Sequence, residues 1–424
     1  MLNYKHSVTL DISKCKGCTN CIKRCPTEAI RVRDGHAIIK KDKCIDCGEC
    51  IRVCPYQAKK ATYDRFEDFA DYKYKIALPA PALYGQFEEL DDVDYILTAL
   101  LECGFDAVFE VSRAAEIITE YTIRYLKKEG IQKPVISSAC PAIVRLIALR
   151  FPYLVENLLP IVPPIEYAAM LARKEAKAAH PELADEDICV LFISPCPAKI
   201  SYVKNPLGVS KSAVNGALAI NDLYFKLRSR IKEIKEPLSL FGTGIIGLNW
   251  AGTGGEATSL RSDKYLAADG IENCINVLEQ IDNGTIHNLE FIELNACNGG
   301  CVGGTLNVEN PYVAKARIRS FRKYLPISRN APKGEEYLPD SVMLDDADNI
   351  LANMQSTALS EDRLTAIAKM SAVEKTYKCL PHLDCGSCGA PNCHALAEDI
   401  IRGEADVSDC LIRLRDNLGG QKEQ

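Results

Sequence analysis

The feature that most limits how this chain can fold is a cysteine pattern written twice. "CKGCTNCIKRCP", starting at Cys15, and "CIDCGECIRVCP", starting at Cys44, share one spacing. Three cysteines stand at gaps of two residues, and a fourth follows after three more, with proline behind it. Gaps of two let three successive thiolates converge on three irons of one cubane, while the fourth, set apart, crosses to a second cubane. The ligand sets are then Cys15, Cys18, Cys21 and Cys54, and Cys44, Cys47, Cys50 and Cys25. Zinc is the competing reading, and eight cysteines in this order disfavour it.

The remaining cysteines extend the argument. There are 20 in 424 residues. "MLNYKHSVTLDISK" lacks the apolar core of a secretory signal, so the expected compartment is the cytoplasm, where thiols stay reduced and cysteines serve metals rather than disulfides. No apolar run is long enough to span a membrane. A formal net charge of −6 gives no electrostatic basis for nucleic-acid binding. Four segments are expected: a two-cluster domain at 1–60, a central domain at 75–330, a polar helical connector at 335–375, and a last cysteine module at 376–424.

The central segment alternates β-branched runs with long helical patterns such as "IEYAAMLARKEAKAAH". The runs are "KIALPAPAL", "AVFEVS", "PVISSAC", "ICVLFISPC" and "LEFIELNAC". That alternation predicts an α/β fold with mostly parallel sheets flanked by helices. Three runs end in cysteine, at Cys140, Cys196 and Cys297, and strand ends are where α/β folds hold cofactors. Cys301 follows in "CNGGCVGG", whose glycines let backbone crowd a cluster. These four make a further cubane set.

The doubled repeat has the bacterial ferredoxin pattern. "SSACP", "SPCPAK" and "ELNACNGGCVGG" resemble the three active-site motifs of iron-only (FeFe) hydrogenases, in order and behind a ferredoxin module. The resemblance implies a catalytic domain of two lobes, with a cubane on Cys140, Cys196, Cys297 and Cys301. Cys301 would also bridge to a diiron unit carrying carbon monoxide, cyanide and a dithiolate. Lys199 matches the lysine whose ammonium holds an iron-bound cyanide, a charge-assisted contact. Pro81 and Ala82, in "APAL", match the strand end whose backbone holds the other cyanide. The substrates implied are dihydrogen and protons. The partners implied are a redox protein such as a ferredoxin, or a signalling protein, and the hydrogenase maturation proteins.

The departures from the family pattern carry the functional argument. Catalytic members have a proton-passing cysteine where this chain has Ala139, whose methyl group cannot ionise. Ser194, before Pro195 and Cys196, and Asn295, before Cys297, replace methionines, and Ile143 stands where a tryptophan is usual. The upstream helix "RAAEIITEYTIR" aligns Ile117 with a relay glutamate and Glu120 and Arg124 with outer relay positions. Glu166, in "PPIEYAAM", replaces a glutamine, and it is either a substitute proton carrier or a desolvated group with a raised pKa. General acid–base help is worth about 10²–10⁴-fold, so slow turnover is expected. The pattern resembles the sensory groups of the family.

"CGSCGAPNCHALAEDIIRGEADVSDC" supplies a fourth set, Cys385, Cys388, Cys393 and Cys410, similar to single-cubane electron-transfer modules. Zinc fits four cysteines as well. Cys103, Cys189 and Cys274 are expected in the core. "FGTGIIGLNWAGTGGEATSL" lacks the lysine of a phosphate loop and is expected as a pocket wall. The alternative reading is an iron–sulfur electron-transfer or cluster-assembly protein of the same fold without a diiron unit.

Overall fold

The computed structural model describes residues 6–332, 338–352, 359–360 and 362–420. Parts of the expected connector, 335–337, 353–358 and 361, lie outside the described residues. Its later part forms the helix Arg363–Lys378. Two compact units are present: the described parts of Met1–Cys44, Gly48–Ala61 and Asn353–Gln424, and Ile45–Cys47 with Thr62–Ala352.

In the first unit β1 (Val8–Leu10) pairs antiparallel with β4 (Lys59–Ala61), and β2 (Ile30–Arg33) with β3 (His36–Ile39). The sequence repeat is repeated in space. Cys21 lies on the helical turn Asn20–Lys23 and Cys50 on Glu49–Arg52. Ile22, Ala29, Ile30 and Ala37 share the interior with Cys21, Cys44 and Cys50. An apolar core this small leaves a module dependent on its staples, here the metal ligands.

The C-terminal module packs into the same unit, with Arg363–Lys378 lying along the helix Cys393–Ile401. The Val32 N–H donates to the Gly389 carbonyl at 2.8 Å. Only glycine fits that approach, because φ is +79° and a Cβ would stand 1.9 Å from the Val32 oxygen. Asp399 accepts from Arg31 at 2.5 Å, Lys40 at 2.7 Å and Arg33 at 3.1 Å. Burial acts to raise the Asp399 pKa, but the hydrogen bonds from Arg31 and Lys40 outweigh it and hold the group below the usual carboxylate range. Segments that are distant in sequence thus form one body.

The second unit holds two parallel sheets. The larger contains β5 (Tyr74–Pro79), β6 (Ala107–Val108), β8 (Ile188–Ser194) and β9 (Gly216–Ala219) in the order β6-β5-β8-β9. The smaller contains β7 (Val135–Ile136), β10 (Tyr265–Asp269) and β11 (Phe291–Asn295) in the order β10-β11-β7. All seven residues of β8 are buried. A parallel strand covered on both faces reads as such a continuous apolar run, each fully buried large side chain contributing about 1.5–3 kcal/mol. Every apolar run singled out in the central sequence contains a strand. β9 ("GALA") and β10 ("YLAAD") were not anticipated, since small residues carry little β signal. Cys103, Cys189 and Cys274 are buried. Among the described residues no helix is long and apolar enough to cross a membrane.

Candidate functional site

The carboxyl ends of β5, β7, β8 and β11 feed one cavity. Ala80 and Pro81 follow β5, Ser137, Ala139 and Cys140 follow β7, Lys199 follows β8, and Leu294 and Asn295 end β11. Cys301, Trp250, Glu256 and Glu293 also line it, with Val111, Ala115, Pro163, Pro164, Ile165 and Phe192 as an apolar wall. The glycine-rich "FGTGIIGLNWAGTGGEATSL" stretch is indeed part of that wall, through Trp250 and Glu256.

Two of the expected ligand cysteines are presented by the same local device. Cys140 and Cys196 are the N-caps of the helices Pro141–Arg150 and Pro197–Lys204. Proline at the first helical position fixes φ and lacks an N–H that would be orphaned there anyway. A helix N-terminus favours the thiolate over the thiol. Ser194 ties the turn, donating to the Cys196 carbonyl at 2.9 Å and accepting from its N–H at 3.3 Å. The Pro195 carbonyl accepts from the Leu306 N–H. Gly300 separates Cys297 from Cys301 with φ +86°, and a Cβ there would lie 2.4 Å from the Thr253 nitrogen.

Lys199 Nζ donates to Cys301 Sγ at 3.2 Å. Burial lowers its pKa, but the charges of Cys301, Cys196 and Cys140 outweigh burial and raise it above the ordinary lysine value. Those three sulfurs therefore converge around one ammonium. Burial pushes the Cys196 thiol up to about 11. A thiol held so high gives up its proton at neutral pH when a metal takes that proton's place. Three strand-end and loop cysteines, a buried cation and an enclosed apolar wall fit a cubane joined to a small anionic metal unit.

Other expected residues fall elsewhere. Ala82 and Ile143 are fully buried, and neither lines the cavity. Asn295 lines it and donates from Nδ2 to Glu293 at 2.8 Å. Glu166 does not reach the cavity: its carboxylate accepts from Ser212 Oγ and, at 2.8 Å, from the Ala213 N–H. Burial raises its pKa, yet its contacts are those of a loop anchor. Glu120 pairs with Arg124 at 3.8 Å and Arg261 at 3.6 Å, and Ile117 packs into an apolar cluster. The helix Val111–Leu126 shows the cavity Val111 and Ala115 instead.

Sequence reasoning missed Glu256 and Glu293. Burial pushes the Glu256 pKa up to about 8, aided by the charge of Glu293, against a 2.5 Å hydrogen bond from Ser137 and the charge of Lys199. Glu293 accepts from the Ala257 N–H at 2.8 Å and the Gly254 N–H at 3.0 Å, and burial raises its pKa too. The available signal was a glutamate inside the apolar strand "FIELN", since a buried carboxyl needs partners or a proton.

In the first unit Cys15, Cys18, Cys21 and Cys54 line one cavity together. Backbone N–H groups point at the sulfurs: Ala29 to Cys25 at 3.2 Å, Ala58 to Cys54 at 3.3 Å and Ala37 to Cys15 at 3.4 Å. Cys44 and Cys50 are buried, and Cys47 is half-buried. In the C-terminal module the charges of Cys385 and Cys410 act on Cys388, while the N–H of the buried Cys393 donates to the Asp384 carboxylate at 2.7 Å.

Comparison with known proteins agrees with this geometry. The family model "Iron only hydrogenase large subunit, C-terminal domain" matches residues 73–232 and 251–305. A 4Fe-4S dicluster domain matches 7–60, and an Fe-S cluster domain matches 380–412. Iron hydrogenase 1 of Clostridium pasteurianum is 25% identical over 398 residues, covering 74% of this chain and 68% of that one. The periplasmic [Fe] hydrogenase large subunit of Nitratidesulfovibrio vulgaris is 31% identical over 213 residues, covering 46% of this chain and 50% of that one. A variant of the [FeFe]-hydrogenase HydA1 from Chlamydomonas reinhardtii superposes with a TM-score of 0.47 at 15% identity, over 70% of this chain and 93% of that one. With the family model spanning half of its length, and Cys140, Cys196 and Cys301 within its match gathered around Lys199, the chain belongs to the iron-only (FeFe) hydrogenase family.

Proposed function

We propose that the chain is a low-turnover FeFe-hydrogenase that senses hydrogen or redox state and passes electrons through 4Fe-4S clusters. The observation that supports this most is the make-up of the cavity wall. The cavity has the cation and the sulfur ligands for a diiron unit, but Ala139 offers it a methyl group that cannot ionise, and Val111, Ala115 and Ile165 add only apolar lining. The diiron unit would be held by Cys301, with Lys199 as its charged partner and the Ala80–Pro81 strand end against it. When bound, it supplies the interconversion of dihydrogen with two protons and two electrons.

The residues of the chain do the rest. The apolar wall excludes bulk water, which strengthens the Lys199 contact. Glu256, protonated below about pH 8, is the cavity's acid and base, with Ser137 holding its orientation. Glu293 is fixed by backbone N–H groups, and its charge helps to keep Glu256 protonated. A single buried acid in place of a full relay suits slow exchange, and slow exchange with binding intact suits a sensor. Sixteen cysteines in four sets would hold the clusters that carry the electrons to a redox partner. Oxygen-labile clusters on free thiols suit the cytoplasm.

The deciding measurement is infrared spectroscopy on anaerobically matured protein, with hydrogen turnover assayed on the same sample. Carbonyl and cyanide bands with slow turnover support the proposal. Bands with the turnover of a fast metabolic hydrogenase would end the sensory reading. Absence of bands at full cubane content would favour the iron–sulfur protein without a diiron unit.

A further inference from the structure

A second cavity lies between the segment Asn249–Gly252 and the helix Pro311–Phe321. Lys315, Arg319 and Arg322 line it together with Val302 and Ile318, and no carboxylate does. Lys315 and Arg319 stand at i and i+4 on one face of the helix and Arg322 follows at its C-cap, so three like charges that repel share one cavity. The other side of the same helix is handled differently: Arg317 pairs with Glu309 at 2.8 Å and Glu88 at 3.6 Å. Among the described residues no ion pair neutralises Lys315, Arg319 or Arg322. Lys315 Nζ donates to the Thr253 carbonyl at 3.2 Å, which fixes its position but not its charge. The Arg322 Nε is buried with no acceptor among the described residues. A buried guanidinium nitrogen left unpaired is costly, and two guanidinium forks beside an ammonium match the geometry of an oxyanion.

The cavity is also joined to the cysteine loop. The Val302 N–H donates to the Ala251 carbonyl at 2.9 Å, and the Thr253 N–H to the Gly299 carbonyl at 3.1 Å. Gly252 and Thr253 are the groups that leave no room for a side chain at Gly300. A ligand that reorders Asn249–Gly252 therefore acts on the backbone holding Cys297 and Cys301.

We propose that this cavity is an effector site for a small oxyanion of the phosphate class, whose occupancy is felt by the cubane on Cys140, Cys196, Cys297 and Cys301. Bound negative charge stabilises the oxidised, less negative cluster, so the potential of that cubane falls when the site fills.

The test is equilibrium dialysis of cluster-loaded protein against radiolabelled inorganic phosphate, with chloride holding ionic strength constant. It does not depend on the diiron unit, so its failure is separate from failure of the hydrogenase reading. One phosphate should bind per chain, saturably. Arg319→Gln with Arg322→Gln should weaken binding at least tenfold at unchanged iron content, while Arg317→Gln on the paired side leaves it unchanged. Should the double variant lose its iron, Arg322→Lys keeps the charge and removes the fork, and is expected to bind several-fold more weakly. Non-saturable binding, binding undiminished in the first variant that retains iron, or equal loss in Arg317→Gln would overturn the site. A cubane potential that phosphate leaves unmoved, by redox-poised electron paramagnetic resonance, would overturn the coupling.

Discussion

The ammonium of Lys199 and the sulfur of Cys301, 3.2 Å apart, belong to different lobes of the sequence yet form one contact. Lys199 comes from the helix that starts behind β8, and Cys301 from the loop that follows β11. Lys199→Ala should leave all four cubanes in place, roughly sixteen irons per chain, because none depends on the ammonium. Carbonyl and cyanide infrared bands should weaken or shift at unchanged cubane content. Wild-type bands and turnover in this variant would show that Lys199 does not hold the diiron unit.

Glu256→Gln should lower hydrogen turnover by about 10²–10⁴-fold at matched diiron occupancy, the usual worth of a general acid or base. Its pKa is raised by burial, from 4.5 to about 8. The folded state thus binds a proton that the unfolded state has released between those values, so stability falls as pH rises from 4.5 to about 8. Glu256→Gln should flatten that slope in denaturant titrations across the same window. An unchanged slope would mean that the carboxyl is ionised when folded.

Ala139→Cys tests the apolar lining. The new thiol would enter a cavity that Val111, Ala115 and Ile165 also line, and none of these accepts a proton. Proton transfer needs each carrier within hydrogen-bond reach of the next, directly or through one water. The substitution should therefore raise turnover by less than Glu256→Gln lowers it. Adding Ile117→Glu should not help, since Ile117 packs in an apolar cluster away from the cavity and a buried unpaired carboxylate destabilises it. Comparing turnover per diiron unit across the three variants decides this. A large gain from Ala139→Cys alone would reveal a route past the apolar wall.

Asp399→Ala should loosen the C-terminal module from the ferredoxin repeat. Removing one partner of a buried pair typically costs about 3–5 kcal/mol, and the Asp399 side chain is 1% exposed among three cations. Limited proteolysis should cut the variant faster within the C-terminal module. Its folded pKa lies below 3.8, so the contribution of this group is present above 3.8 and is lost as pH falls through the folded value. Equal protease resistance down to acid pH would show that the module is held by other contacts.

The strand ends, and the cysteines that sit at them, were legible in the sequence because apolar runs are local. Cys140 and Cys196 announce their helices with the proline that follows, and β8 is seven apolar or small residues in a row. Side-chain direction was not local. Glu166 sits two residues after the cavity-lining Pro164, yet it turns toward Ser212 and Ala213 across 46 and 47 residues. Glu256 was hidden in a glycine-rich stretch whose helical turns bring it opposite Ser137, 119 residues upstream. Ile117 was aligned by counting, and the pitch of its helix turns Val111 and Ala115 inward in its place. The partnership of residues 1–60 with 376–424 had no trace in either segment alone.

That partnership sets an order of events during synthesis. Arg31 and Asp399 are separated by 368 residues. At about 5–20 residues per second, roughly 20–70 s pass between them on the ribosome. Throughout that time Arg31, Arg33 and Lys40 have no Asp399 to face, and β2 lacks the module that will cover it. These residues are made long before their final surroundings exist. A factor that delivers clusters to the nascent repeat would find an open basic face, and the arrival of Asp399 would close it.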